Sequence, residues 1–305
     1  MDALIVVFVT GLIAMFIAMG KRPVLVLSTA VVGILGAITL LVMQLQNPYN
    51  LIKYEGLSFD GITILYAILA LVFGLLIILG GYSYFSREPE HTGEYISLIL
   101  FSLVGSMCMI GFTDMFLFFL GLEILSIPVY VLAGSRKKDL FSTEASLKYF
   151  FTGSFATGIL LFGIAWIYGA TGSFSISEIS NAIGEGRASG TMLGVGILLL
   201  MASFLFKIGG APFHFWSPDV YSGSPSIVTG YMAAVVKLSG LIAFMKLFTF
   251  VFRDASDVWV SALYALAILT MFVGNLSAIR QVKFKRILAY SSIANAGYAL
   301  LVILP

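Results

Sequence analysis

Ten long apolar segments constrain this chain more than any other feature of its sequence. They are joined by short polar connections and lie at about residues 3–19, 24–45, 61–81, 95–112, 115–134, 144–169, 191–211, 226–250, 258–279 and 285–304. Each segment is long enough to cross a bilayer as an α-helix, and none alternates polar and apolar residues as a barrel strand does. Because lipid tolerates only helices and closed barrels as spanning structures, we predict an all-α membrane protein of about ten transmembrane helices.

The composition supports the membrane class and excludes several others. Hydrophobic residues make up 60% of the chain, charged residues make up 10%, and the mean hydropathy is +1.04. Soluble domains do not have such a composition. A net charge of +2 without a long basic tract argues against nucleic-acid binding. The single cysteine, Cys108, excludes a disulfide framework and a cysteine-based metal site within the chain.

The distribution of basic residues predicts the orientation of the helices. The connections after odd-numbered segments hold ten Lys and Arg residues, and those after even-numbered segments hold three. The ten are Lys21, Arg22, Arg87, Arg136, Lys137, Lys138, Arg280, Lys283, Lys285 and Arg286, and the three are Lys53, Arg187 and Arg253. Since basic loops tend to stay in the cytoplasm, we expect the odd-numbered connections to be cytoplasmic and the N-terminus to be outside. The first segment follows no basic stretch, and we interpret it as a mature span rather than a signal peptide.

Four of the charged residues within the apolar segments are the main candidates for ion chemistry. Glu123 lies in segment 5, Lys148 in segment 6, Lys207 at the end of segment 7 and Lys237 in the middle of segment 8. A charge at bilayer depth costs ~2.5–3.5 kcal/mol or more, and such residues usually serve ion chemistry. One acid and several lysines on separate helices therefore suggest a path for protons.

An acid that approaches and leaves a lysine would switch that lysine between holding and releasing a proton. A lysine withdrawn from water loses its proton more readily, and a nearby carboxylate reverses this effect. We expect Glu123 to act on Lys207 in this way, while Lys237 lies mid-span with no route to water. Two structural alternatives remain open. Glu123 could belong to a static salt bridge, and the Lys207 side chain could extend to the cytoplasmic surface.

Segment 7 ends in the densest motif of the chain, FLFKIGGAPFHFWSPDVYSGSP. The Gly-Gly-Ala-Pro sequence at 209–212 predicts a break in the helix directly after Lys207. Broken helices at membrane depth line cavities and often mark transport sites. His214 follows the break, and an imidazole exchanges protons near neutral pH. The alternative is a capped interfacial turn formed by His214, Trp216 and Asp219.

Three further charged residues have simpler interpretations. Glu144 precedes Lys148 by four residues, which is the spacing of a helical ion pair, so Lys148 could belong to an interfacial pair or to the relay. Lys246 lies near the outer end of segment 8, where its side chain can reach the interface. Asp114 is expected in the interfacial turn between segments 4 and 5.

Motifs for redox or nucleotide chemistry are missing from the sequence. It contains no histidine pair spaced for haem, no cysteine cluster, no P-loop and no dinucleotide fingerprint. We therefore expect the chain to bind no cofactor and to draw its energy from an ion gradient or from partner subunits.

Four stretches of the sequence together resemble a known family. They are FLGLEILSIPVYVL, STEASLKYFFTGSFATGILLFGIAWIYG, FKIGGAPFHFWSPDVYSGSP and KFKRILAYSSIANAGY. Over essentially its whole length the chain resembles the antiporter-like subunits of proton-pumping NADH:quinone oxidoreductase (respiratory complex I), a family shared with multisubunit cation/proton antiporters. The stretch PFHFWSPDVYSGSP favours the subunit N branch of this family.

The resemblance implies a role for each charged residue in the apolar segments. Glu123 matches the family's glutamate in span 5, and Lys207 matches the lysine in span 7 with which that glutamate pairs. Lys237 matches the central lysine of span 8, which passes protons onward. Lys148 matches the lysine of span 6, and His214 matches a histidine of the span 7 motif.

The resemblance also implies a domain organisation. It comprises an N-terminal three-helix region at 1–90, a five-helix repeat at 91–255 (spans 4–8) and the start of an inverted repeat at 256–305 (spans 9 and 10). Members of the family have about fourteen spans, so this chain is expected to be a fragment or a truncated product. Relatives often carry a histidine where Asn295 stands, and an asparagine cannot change its charge there.

The resemblance leads us to expect a multi-pass protein of the bacterial inner membrane that translocates protons as a subunit of NADH:quinone oxidoreductase. Its partners would be the other membrane-arm subunits, the lipid bilayer, protons and internal water, with no nucleic acid. NADH, flavin, iron–sulfur clusters and quinone would be held by partner subunits. The alternatives are a subunit of a multisubunit cation/proton antiporter and an inactive structural piece.

Overall fold

The computed structural model describes residues 2–20, 22–46, 56–85 and 91–304 of the chain. Apart from turns and two isolated antiparallel bridges, which join Leu57 to Phe112 and Asp114 to Ser175, the secondary structure of these residues is helical. The helices are α1 (Asp2–Ala18), α2 (Pro23–Gln46), α3 (Gly61–Gly80), α4 (Tyr82–Phe85), α5 (Thr92–Gly111), α6 (Met115–Ala133), α7 (Leu140–Thr171), α8 (Ile176–Gly184), α9 (Gly190–Ile208), α10 (Trp216–Gly223), α11 (Ser226–Val251), α12 (Ser256–Ile279) and α13 (Phe284–Leu301).

Every apolar segment of the sequence contains a helix. Among the described residues, eight helices are long and apolar enough to cross a membrane, namely α2, α3, α5, α6, α7, α9, α11 and α12. Helix α1 is apolar but has 17 residues, and α13 carries more polar side chains. The predicted class of all-α membrane protein is therefore confirmed, while the count of ten spans and the orientation remain predictions. Lys21, Lys53 and Arg87, whose charges contribute to the predicted orientation, lie outside the described residues.

Apolar side chains cover much of the exposed helix surface. Large residues such as Phe151 and Phe155 on α7 and Phe272 on α12 are exposed. Soluble monomers rarely present large contiguous apolar patches, whereas a bilayer or a neighbouring membrane subunit covers them. Together with the helix lengths, this surface defines a multi-pass membrane protein.

One compact unit consists of Met1–Thr113, Leu120–Leu132 and Ser226–Ser239. Within it, α1 packs against α2 and α5, and α3 packs against the same two helices. Small residues allow close approach of the backbones, as is usual for helices in membranes. A β-carbon added to Gly105 would lie only 2.2 Å from the backbone nitrogen of Leu125.

The other compact unit consists of Asp114–Phe119, Ala133–Pro225 and Gly240–Pro305. Within it, α7 packs along α9, α10 lies against α7 and α13, and α12 packs against α13. An aromatic cluster fills part of its core, with ring-centroid distances of 5.3 Å for Phe118–Phe204, 5.1 Å for Phe204–Phe244 and 4.4 Å for Phe244–Phe248. The polar connection before α9 contains the short helix α8.

Helix α11 departs from regular α-geometry at two places. The π-helical turns Met232–Val236 and Leu247–Val251 interrupt it. Such turns occur often at functional sites, and the first of them ends directly before Lys237. The apolar pattern of segment 8 did not predict either turn.

Candidate functional site

The predicted break after Lys207 is present and is formed by a Schellman turn. Helix α9 ends at Ile208, and Gly209 adopts a φ of +76°. The Gly210 N–H donates to the Leu205 carbonyl at 2.7 Å, and the Gly209 N–H donates to the Phe206 carbonyl at 3.0 Å. A residue with a β-carbon would lose ~1–2 kcal/mol in this left-handed conformation, which explains the glycine.

Polar partners satisfy several backbone groups around the break. The indole Nε1–H of Trp216 donates to the Phe206 carbonyl at 3.0 Å. The Ala211 N–H donates to Thr270 Oγ1 at 2.9 Å. Because lipid offers no hydrogen bonds, a broken helix at membrane depth requires such internal partners.

Lys207 is buried at the C-terminal end of α9. Only 6% of the residue is exposed, so its side chain does not extend to the surface of the protein. A β-carbon on Gly240 would lie 3.5 Å from Lys207 Cγ, which places the lysine stem close to α11. The last carbonyl groups of a helix give its C-terminal end a partial negative charge. A lysine in the last turn is therefore favoured.

His214 lies in the turn between α9 and α10. Its ring is 4.7 Å from that of Phe215, and its Nδ1 is buried. The depth of this turn in the bilayer, and with it the alternative of an interfacial turn, remains a prediction. Trp216 is only 5% exposed and stacks on Tyr149 with a centroid distance of 4.6 Å, so it anchors α10 inside the protein.

Lys148 stands in an ion-pair network that joins three helices. Its Nζ lies 2.7 Å from Glu144 Oε1, which confirms the pair expected from the sequence spacing. The same Nζ lies 2.7 Å from Asp219 Oδ2 on α10. The other carboxylate oxygen of Asp219 lies 3.0 Å from Arg286 Nη1 on α13. Asp219 therefore links α7 to α13 through α10.

We expect Asp219→Asn to destabilise the protein by about 1 kcal/mol, because it breaks two partly exposed ion pairs worth ~0.5 kcal/mol each. The matched variant Glu144→Gln breaks one pair within α7 and should cost about half as much. Thermal unfolding of the detergent-solubilised protein measures both, and high salt should reduce the difference between them. Equal unfolding midpoints for the two variants would contradict the bridging role of Asp219.

Glu123 and Lys237 lie in the first unit, on α6 and α11, and both are partly exposed. The charge of the Glu123 carboxylate acts on the Tyr130 hydroxyl. Two residues after Lys237, the buried hydroxyls of Ser239 and Ser106 are hydrogen-bonded at 2.6 Å. The buried side of α11 therefore has a polar contact with α5 close to Lys237 in the chain.

The two units divide the predicted site residues. Glu123 and Lys237 belong to the first unit, whereas Lys148, Lys207 and His214 belong to the second. The pairing of Glu123 with Lys207 remains a prediction. In residues 2–20, 22–46, 56–85 and 91–304, no group of three or more His, Cys, Asp or Glu side chains could hold a metal ion.

Sequence reasoning missed two members of the Lys148 network. Asp219 had been assigned only to an interfacial turn, although its place in the first turn of α10 favours a carboxylate. Arg286 had been counted only among the basic loop residues that predict the orientation of the helices. Asp219 is far from both Lys148 and Arg286 in the sequence, so no helical spacing predicts these ion pairs.

The fold and the site together define a class of protein. Helices of membrane length, one of them broken next to a buried lysine, are the architecture of a multi-pass membrane protein. Residues 113–304 match the family described as "NADH:quinone oxidoreductase/Mrp antiporter, TM", and the chain belongs to this family.

Several named proteins are similar to the chain over most of its length. The chain is 45% identical over 81% of its length to NADH-quinone oxidoreductase subunit N of Trichlorobacter lovleyi. It is 40% identical over 99% of its length to the subunit N of Cytophaga hutchinsonii. Among solved structures, it is similar to a chain of respiratory complex I from Thermus thermophilus with bound aureothin, with a TM-score of 0.84, 30% identity and 99% of this chain covered.

The chain is shorter than each of these proteins. It covers 51% of the Trichlorobacter relative, 65% of the Cytophaga relative and 64% of the Thermus chain. The family is therefore established, whereas the activity of a whole subunit is a matter for proposal.

Proposed function

We propose that this chain forms the proton-translocating part of a membrane-arm subunit of NADH:quinone oxidoreductase in a bacterial inner membrane. The observation that carries the proposal is Lys207, a lysine buried at the end of a broken membrane helix. A buried ionisable residue at such a break marks an ion pathway. The enzyme class rests on the similarity to NADH-quinone oxidoreductase subunit N of two bacteria.

The proposed mechanism is electrostatic. Glu123 holds the proton on Lys207 while the two are paired, and its withdrawal lets Lys207 release the proton toward Lys237 and internal water. His214, in the turn after the break, exchanges protons with the Lys207 end of the path. Lys148 tunes the local field, because its charge is held by Glu144 and Asp219.

The same proposal assigns partners, cofactors and domains. The partners are the other membrane-arm subunits, lipid, protons and internal water. NADH, flavin, iron–sulfur clusters and quinone belong to partner subunits, and quinone reduction there supplies the energy. The chain comprises a three-helix region at 1–90, the first antiporter-like repeat at 91–255 and the start of the second repeat at 256–305.

The test uses Glu123→Ala and Lys237→Ala in the full-length subunit of the assembled complex. We expect both variants to reduce proton transport into inverted membrane vesicles, because each removes a group that carries or controls the proton. A pH-sensitive dye measures transport, NADH oxidation measures electron transfer, and native gels check assembly. Lys246→Ala is the matched control on α11.

Two outcomes would redirect the proposal. Undiminished proton transport in both variants would contradict it. Sodium-dependent proton flux without NADH or quinone would instead support a cation/proton antiporter, the other class covered by the family description.

A further inference from the structure

A charged pocket of about 580 Å³ lies in the second unit, where α7 begins, α10 ends and α13 begins. The pocket lies at the first turn of α7, a helix of membrane length, and this position places it at the level of lipid headgroups rather than at bilayer depth. Pockets of this volume are large enough for a small organic ligand. Of the residues given a role in the proposed proton mechanism, only Lys148 lines the pocket.

The pocket carries a surplus of positive charge. Its basic lining residues are Arg136, Lys148, Lys283, Lys285 and Arg286, and its acidic ones are Asp139, Glu144 and Asp219. Five basic groups against three acidic groups leave a formal charge of +2. Arg136 and Lys285 are close enough to repel each other.

The three carboxylates of the pocket are engaged. Glu144 and Asp219 pair with Lys148, and Asp219 also pairs with Arg286. Asp139 accepts a hydrogen bond from the Phe141 N–H at 3.0 Å and caps α7. Asp139 also attracts Lys285, and the Lys285 ammonium donates to the Ser224 carbonyl at 2.8 Å, so the formal surplus of positive charge belongs to the pocket as a whole.

Exposed aromatic side chains stand beside this charge. Phe141 is 69% exposed and Phe284 is 72% exposed, and both line the pocket. The Lys283 ammonium lies 5.8 Å from the centroid of the Phe141 ring. A basic pocket next to exposed apolar surface is complementary to a ligand that has an anionic head and apolar chains.

We propose that this pocket binds the phosphate headgroup of an anionic phospholipid, with its acyl chains against Phe141 and Phe284. Lys283 and Arg136 attract the phosphate, and basic pockets on the cytoplasmic side of membrane helices are known to hold such headgroups. A free phosphate ion would use the same charges but would leave the two aromatic side chains exposed. The apolar surface therefore favours the lipid.

The test compares wild-type protein with Lys283→Gln and with the double variant Arg136→Gln/Lys283→Gln. Each protein is placed in nanodiscs that contain equal amounts of phosphatidylglycerol and phosphatidylcholine. Native mass spectrometry then counts the lipids that remain bound to the protein after it is released from the nanodisc. We expect the wild type to retain phosphatidylglycerol selectively, and retention to fall about fivefold for each charge removed, since one basic residue near an anionic lipid contributes ~1 kcal/mol.

Two control variants keep the test decisive. Lys283→Arg preserves the charge and should retain the lipid, and Arg253→Gln removes a charge that does not line the pocket and should behave as wild type. Size-exclusion profiles establish that each variant is folded. Equal retention of both lipids by the wild type, or unchanged selectivity in a folded double variant, would overturn the proposal.

A separate arm distinguishes lipid from free phosphate. Inorganic phosphate is added to delipidated protein in detergent, and its effect on the unfolding temperature is measured. We expect inorganic phosphate to raise the unfolding temperature less than short-chain phosphatidylglycerol does at the same concentration. An equal shift that is lost in the double variant would assign the pocket to free phosphate and overturn the lipid proposal.

Discussion

Replacing Lys207 with methionine in the full-length subunit should lower proton transport by the assembled complex about 100-fold or more, the lower end of what a positioned proton-transfer group contributes. The residue is buried at the C-terminal end of α9, where the helix breaks. Methionine has a similar length and fills the same space, so the change removes the titrating group rather than the packing. Transport is measured in inverted vesicles and normalised to the amount of assembled complex.

A second substitution at the same position separates proton transfer from a static charge. Lys207→Arg preserves the positive charge at the helix end, but a guanidinium does not release its proton in proteins. We expect assembly to survive while proton transport remains low. Recovery of transport with arginine would show that the charge alone is sufficient and would contradict the relay.

The matched control for Lys207 is Lys246→Met. Lys246 is a partly exposed lysine near the end of α11, and the sequence places it where its side chain reaches the interface. We expect this variant to transport protons at close to the wild-type rate. An equal loss in both methionine variants would indicate a general effect of removing lysines.

Gly105→Ala should destabilise the protein by about 1–3 kcal/mol, the usual range for overpacking. The added β-carbon would lie 2.2 Å from Leu125 N, 2.6 Å from the Ile124 carbonyl carbon and 2.7 Å from Leu125 Cα. These are backbone atoms of α6, so the contact is relieved only by moving one helix away from the other. The loss of this packing also affects α6, which carries Glu123.

Gly158→Ala on α7 is the matched control for Gly105→Ala. Apart from the adjacent residues and the local backbone of α7 itself, no atom lies within 4 Å of the β-carbon that this substitution adds. Alanine in the middle of a helix is favoured over glycine by ~0.5–1 kcal/mol, so this variant should be at least as stable as the wild type. Unfolding midpoints in detergent test the pair. A Gly105→Ala protein as stable as Gly158→Ala would contradict the close approach of α5 and α6.

Local features of the site were predictable from the sequence. The break after Lys207 follows from Gly209, Gly210 and Pro212, whose effects on the backbone require no distant partner. The Glu144–Lys148 ion pair follows from the i,i+4 geometry of a helix. Short-range sterics and helix geometry determine both features, and the structure contains both.

Long-range features were not predictable. Asp219 and Arg286 are 67 positions apart and meet because α10 packs against α13. Trp216 stacks on Tyr149 of α7, 67 positions away in the chain, a contact that no local spacing predicts. The apolar pattern of segment 8 does not predict the π-helical turn that ends before Lys237.

The sequence by itself determined that this protein is a bundle of membrane helices with charged residues in its apolar segments, because lipid excludes other spanning structures and tolerates few charges. Only the tertiary structure decided which of these charges are buried and which form ion pairs. Lys207 is enclosed by protein, whereas Lys148 stands in a partly exposed network with Asp219 and Arg286. The physical reason is that burial and pairing depend on which helix faces meet, and side chains far apart in the chain set those contacts.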